Sequence, residues 1–174
     1  MRNLMIIYAI FLINFGQGFS QGKDQIPQLD YKGQPFYRFL AKNLKYPNEL
    51  KTCDRISVLA AIKFKLDAKG KVVFVEAVGN IGDTTRSHLR DIILKSDGYW
   101  KPQMRNGKPV ASNLIVQPIL FKLEDGCEGN ILFGYEGFNK SIREVFEVET
   151  GNEICIMFGQ ITVLGGLRPM RKAE

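Results

Sequence analysis

The chain has 174 residues, 45% hydrophobic and 24% charged, with 24 Lys+Arg against 18 Asp+Glu. This suits one domain with a real core plus an appendage, and excludes a fibrous, collagen-like or low-complexity protein. The net charge of +6 is a split: residues 1–123 carry 19 Lys+Arg and 9 Asp+Glu (+10), whereas residues 124–174 carry 5 and 9 (−4).

In chain order, the first element is an export signal. Met1-Arg2-Asn3 gives a positive start, residues 4–14 an apolar run, and Gly18-Phe19-Ser20 small residues at the −3 and −1 positions. These features read as a secretory signal at 1–20, cleaved between Ser20 and Gln21. An uncleaved anchor is disfavoured, because the run falls short of the ~20 residues of a spanning helix and Asn14 interrupts it. No cysteine lies near the cleavage site, so lipidation is not expected. The mature chain is expected to be periplasmic or secreted, with no spanning segment after cleavage.

Residues 21–32 are polar and contain Pro27, the mark of a short linker without periodicity. Phe36, Phe39, Leu40 and Leu44 then fall at helical spacing, with Pro35 at the helix start and Tyr46-Pro47 stopping it. Ile56, Val58, Ala60, Ile62, Phe64 and Leu66 alternate along a first, half-buried strand, with Lys63 and Lys65 facing the other way. Asp67-Ala68-Lys69-Gly70 is a hairpin turn with glycine where positive φ is needed, and residues 71–78 form the returning second strand. Asp83 or Thr84 is placed to cap a second helix that buries Leu89, Ile92 and Ile93 and ends near Lys95.

Trp100 lies just past that helix, where a core anchor is the expected role. Asn106-Gly107 supplies a tight turn before Val110 enters the third strand, in which Pro118 implies a sheet edge or a bulge. Helix, hairpin, helix, strand makes an α+β fold: a small antiparallel sheet packed under two helices. The second helix makes strands two and three parallel to each other, so an antiparallel sheet requires the order 2-1-3, with strand three at an open edge.

Residues 124–174 form a β-rich acidic extension. Residues 143–166 read as a further β-hairpin around Gly151-Asn152, and Ile154, Ile156 and Phe158 alternate with Cys155 and Met157. Both faces are apolar, so this hairpin is expected to cover an edge of the main sheet.

From about Gly33 to Leu123 these features, in this order, resemble the C-terminal domain of TonB, the envelope protein that carries inner-membrane energy to outer-membrane transporters. The resemblance rests on Tyr46-Pro47, on Phe64 ending the alternating strand, and on Asp67 with Gly70 in the turn. It continues with Trp100-Lys101-Pro102, with Asn106-Gly107-Lys108-Pro109-Val110, and with the strand residues Val116 to Phe121. The resemblance implies a protein-binding module, not an enzyme, without cofactor or metal. In that family the last strand pairs with a short extended segment of a transporter, adding a strand to the sheet. Here that edge is Asn113, Leu114, Ile115, Val116, Gln117, Pro118, Ile119, Leu120, Phe121, Lys122 and Leu123. The expected partner is an envelope protein or outer-membrane transporter segment. The family's energy transducers carry an anchor and a long Pro-rich spacer, whereas a cleaved signal and a short linker imply a stand-alone module. The alternative is a structural envelope module whose edges are sealed by its own tail or by homodimerisation, with no peptide binding.

Other chemistry finds little support. His88 is the only histidine and flanks the apolar face of the second helix, without a Ser/Asp partner assignable from sequence. There is no phosphate-binding glycine motif and no Cys-x-x-Cys. Nor does the basic body carry an RNA-binding or helix-turn-helix pattern, so no nucleic-acid partner is expected. Cys53, Cys127 and Cys155 are disulfide candidates in an oxidising compartment. Order 2-1-3 places Cys53 and Cys127 at the same end of neighbouring strands, and a bridge there would contribute ~4–5 kcal/mol in the chain-entropy model. Cys127 with Cys155 is the rival pairing.

Overall fold

The computed structural model describes residues 23–53, 57–125 and 155–166. The expected signal peptide, Cys127 and the Gly151-Asn152 turn lie outside the described residues. Within them the chain is mixed α+β, with two helices and mostly antiparallel sheets.

Helix α1 (Phe36–Asn43) starts at Pro35, which sits in the extended region as N-cap and leads with a residue that has no N–H to satisfy. It buries Phe39 and Leu40 and gives way to an extended Leu44, as Tyr46-Pro47 requires. Strands β2 (Ser57–Leu66) and β3 (Val72–Gly79) form the expected hairpin. In its turn the Asp67 carboxylate accepts the N–H groups of Lys69 (2.8 Å) and Lys71 (2.9 Å), which hold its pKa below the ordinary carboxylate value, the Lys71 bond most of all. Gly70 is fixed twice over: its φ is +81°, and a Cβ there would run into the Trp100 carbonyl.

Helix α2 spans Asp83–Lys95, and its N-cap is Gly82, not Asp83 or Thr84. The cap function comes from a distant carboxylate. Glu49 Oε1 accepts the Gly82 N–H (2.8 Å) and the Thr85 hydroxyl (2.6 Å), placing a negative charge at the positive end of the helix.

Strand β7 (Leu114–Asp125) pairs antiparallel with β2 from Ser57↔Lys122 to Phe64↔Ile115, so the order β3-β2-β7 is the expected 2-1-3. One face of this sheet carries Val58, Ala60, Ile62, Phe64, Ile115, Ile119 and Phe121, which pack against Phe39, Leu40, Leu89, Ile92 and Ile93 of the helices. The other face buries Leu59, Ala61, Leu114 and Val116 as a second cluster. The central strand is therefore buried on both sides, not half-buried. Lys63, opposite Glu76 and Val116, is only 7% exposed, its stem covered by its neighbours.

The expected linker is also part of the body. Strand β1 (Gln28–Leu29) pairs antiparallel with β4 (Trp100–Lys101), Gln25 bridges to Met104, and Leu29 is buried. Polar composition hid this pairing, because the bonds come from backbone groups. Strands β5 (Gln103–Arg105) and β6 (Lys108–Val110) form a small hairpin around Asn106 (φ +50°) and Gly107 (φ +73°), the left-handed pair that two-residue hairpin turns demand. Val110 therefore ends its own strand and does not enter β7. Trp100 is 5% exposed and packs on Phe36 (5.0 Å) and Phe64 (5.3 Å), while its Nε1 donates to Ser96 Oγ at 2.8 Å. It is a core anchor.

Candidate strand-binding edge

The outer edge of β7, expected to be open, carries the C-terminal segment. Strand β8 (Cys155–Met157) pairs in parallel with Leu114–Val116, and β9 (Ile161–Gly166) pairs in parallel from Ile119 to Asp125. The described part of the expected hairpin is thus an extended segment running in the direction of β7. It is seated by Ile156, Phe158, Ile161 and Val163, which turn towards the core. At its far end Gly165 lies so close to the Tyr46 ring that a Cβ would stand 2.5 Å from it. Tyr46 in turn meets Phe121 edge-on at 5.9 Å and donates its hydroxyl to the Leu50 carbonyl at 3.3 Å. Burial of that ring raises the Tyr46 pKa.

The ladder breaks once, and the sequence explains where. The Phe158 N–H donates to the Val116 carbonyl (2.9 Å), so the polar groups of Val116 face the tail. Alternation makes residue 118 face the same way, and Pro118 has no N–H to give. The tail leaves β7 for Phe158–Gln160 at this point. Gln117, 1% exposed, fills the gap: its Nε2 donates to the Gly159 carbonyl (2.9 Å) and the Pro118 carbonyl (2.8 Å). Asn113 stands before the strand, its N–H donated to Gln103 Oε1 at 3.1 Å.

The opposite edge, β3, is guarded from α2. The Arg86 guanidinium donates to the Ala77 carbonyl (3.0 Å) and the Gly79 carbonyl (2.7 Å), alternate groups on the side away from β2. Asp97 Oδ1 accepts the Val72 N–H at 2.9 Å. A charged side chain laid along an edge obstructs strand addition. Val73 and Phe74 remain exposed on this strand, at 63% and 42%.

Two open cavities flank these edges. One of about 500 Å³ holds Lys45, Tyr46, Glu49, Thr84 and His88. His88 is exposed there, and Glu49 is committed to the start of α2, so no nucleophile, base and orienting group are assembled. Among the described residues no cluster of three or more His, Cys, Asp or Glu side chains is placed to hold a metal. The other cavity, of about 490 Å³, opens at the break in the tail strand.

Cys53 is disulfide-bonded, and Cys155 is a free, exposed thiol on β8. A free Cys155 does not fit the rival pairing. Among the family-motif positions, Tyr46, Phe64, Gly70 and Trp100 converge on the core as described. Pro47 precedes the 3-10 turn Asn48–Leu50, Pro102 separates β4 from β5, and Pro109 lies in β6. Sequence reasoning missed Arg86, Asp97 and Glu49, whose partners lie in other elements, mostly as backbone groups, and leave no local pattern. No helix among the described residues is long and apolar enough to cross a membrane. Compared with protein-family models, curated proteins and solved structures, the chain finds no match.

Proposed function

We propose that this chain is an exported, non-enzymatic structural module of the cell envelope, of the TonB C-terminal kind, whose sheet is closed at both edges. The observation that carries this reading is the parallel seating of residues 155–166 along β7, the strand that the family resemblance marks as the partner-binding edge. The Arg86 and Asp97 contacts on β3 support it from the other side. Amide exchange on the intact chain tests it. The Phe158, Leu120 and Lys122 N–H groups exchange slowly if the tail seals the edge, and light scattering gives a stable species that does not bind added strands. Exchange at those amides as fast as in an unpaired loop overturns it.

A second reading is strand addition by a segment of an envelope protein or outer-membrane transporter, which would displace the tail. What favours it is the interruption at Pro118, which leaves the tail held by two short ladders in place of one long one. Each ladder bond contributes ~0.5–1.5 kcal/mol net, so a competing extended segment has little to overcome locally. Titration with receptor amino-terminal peptides separates the readings. Strand addition predicts binding that strengthens in an Ile161→Lys, Val163→Lys variant with its tail released; no binding in either form leaves the structural reading.

A further inference from the structure

The cavity at the tail break has a chemistry of its own. Phe36 of α1 stands 5.0 Å from Trp100 and 5.4 Å from Phe158, its ring inclined to theirs at 57° and 56°. Phe36 and Phe158 are half-buried, so each keeps part of its ring surface uncovered, and Tyr37 beside them is 59% exposed. The buried Gln117 amide also lines the cavity, beneath the point where the tail lifts off β7. None of the residues lining it is charged.

The volume of about 490 Å³ lies within the ~300–1,000 Å³ of small-molecule sites, which are likewise mostly apolar with a few polar groups. The uncovered parts of the Phe36 and Phe158 rings offer a flat apolar ring offset or edge-on contact at the cavity wall. An ionised ligand would lose hydration here without gaining a counter-charge. The groove opens where the pairing of the tail with β7 is interrupted, between Val116 and Ile119.

We propose that this groove is a binding site for a small uncharged molecule carrying an aromatic or similarly flat ring, held against the uncovered parts of Phe36 and Phe158 beside Trp100. Trp100 is the only tryptophan in the chain and serves as the reporter. The test is a titration of the intact protein with N-phenyl-1-naphthylamine, a neutral aromatic probe, followed by energy transfer from Trp100. Gly159 lines the groove and a Cβ there has no heavy atom within 4 Å, so Gly159→Leu adds bulk at the groove without a clash with the core. The expected result is saturable transfer at one site, weakened by about tenfold or more in Gly159→Leu. Tyr37→Ala, at an exposed position that makes no core contact to lose, weakens it by roughly threefold, the scale of one lost ring contact. Val73→Lys on β3 leaves it unchanged. Absence of saturable transfer overturns the proposal, as does binding that survives Gly159→Leu and Tyr37→Ala or disappears in Val73→Lys.

Discussion

Replacing Gly165 by alanine puts the sealed edge to a quantitative test. A methyl group at that position would stand 2.5 Å from Cγ and Cδ2 of Tyr46 and 2.6 Å from Cε2. Carbon atoms in contact prefer ~3.5–4.0 Å, so the overlap is about 1 Å. The ring has little room to retreat, because Phe121 lies edge-on at 5.9 Å and the hydroxyl is tied to Leu50. The tail must therefore shift off β7, at a cost typical of overpacking, about 1–3 kcal/mol. With a urea slope of ~1–3 kcal/mol/M for a chain of this size, the unfolding midpoint falls by roughly 1 M. The amides of β9 lose protection at the same time. Tyr46→Ala removes the obstacle, so in that background the alanine is nearly neutral, and the double-mutant cycle returns a coupling of about 1–3 kcal/mol. A neutral Gly165→Ala, or a penalty that persists without the Tyr46 ring, would refute the seating of the tail.

Arg86→Met removes both guanidinium contacts to β3 and uncovers its edge beside the exposed Val73 and Phe74. Stability falls by about 1–3 kcal/mol and the chain self-associates with rising concentration, measured by light scattering; a monomer throughout contradicts the guarding role. Asp67→Asn lowers stability at neutral pH, because a carboxylate with a depressed folded pKa stabilises above its unfolded value of 3.8 and loses that contribution as pH falls through the folded one. The two proteins therefore converge in urea unfolding under strongly acidic conditions, and an equal gap at all pH values refutes the assignment. Cys155 reacts with iodoacetamide in the native, unreduced protein, whereas Cys53 reacts only after reduction; peptide mass mapping reads both.

Much of the architecture was legible because it rests on patterns that local chemistry imposes. The alternating face along residues 58–66, the Asp67-to-Gly70 turn, the helical spacing of Phe36, Phe39 and Leu40, and the crossover that orders the sheet all reappear in the structure. What stayed hidden depends on backbone groups meeting across long sequence separations. Gln25 and Gln28 look like linker, yet their main chain pairs with Met104 and Lys101. Glu49 reads as an isolated surface acid, yet it caps a helix 33 positions away. The tail was legible as β-forming, but its parallel direction was not, since residues 155–166 are equally apolar on either face and alternation carries no sign of direction.

Pro118 and Gln117 join the sequence to the structural proposals. A proline within an apolar strand implies an edge or a bulge, and the family resemblance makes that edge the place of an incoming partner strand. The strand does have an outward side, and the missing N–H does lie there, but the chain brings its own segment to cover it. That segment cannot run unbroken past a residue with no donor, so it lifts away for Phe158–Gln160. The exposed Gly159 carbonyl is then satisfied from below by the buried Gln117 amide. One imino acid thus fixes where the cis pairing is weakest and, at the same point, opens the aromatic groove. Competition by a partner strand and occupation of the groove by a ring-bearing ligand act on the same three residues of tail. A ligand bridging Phe36 and Phe158 ties that loop to α1 and strengthens the seal. A strand that displaces the tail removes Phe158 and dismantles the groove, so the two events exclude each other.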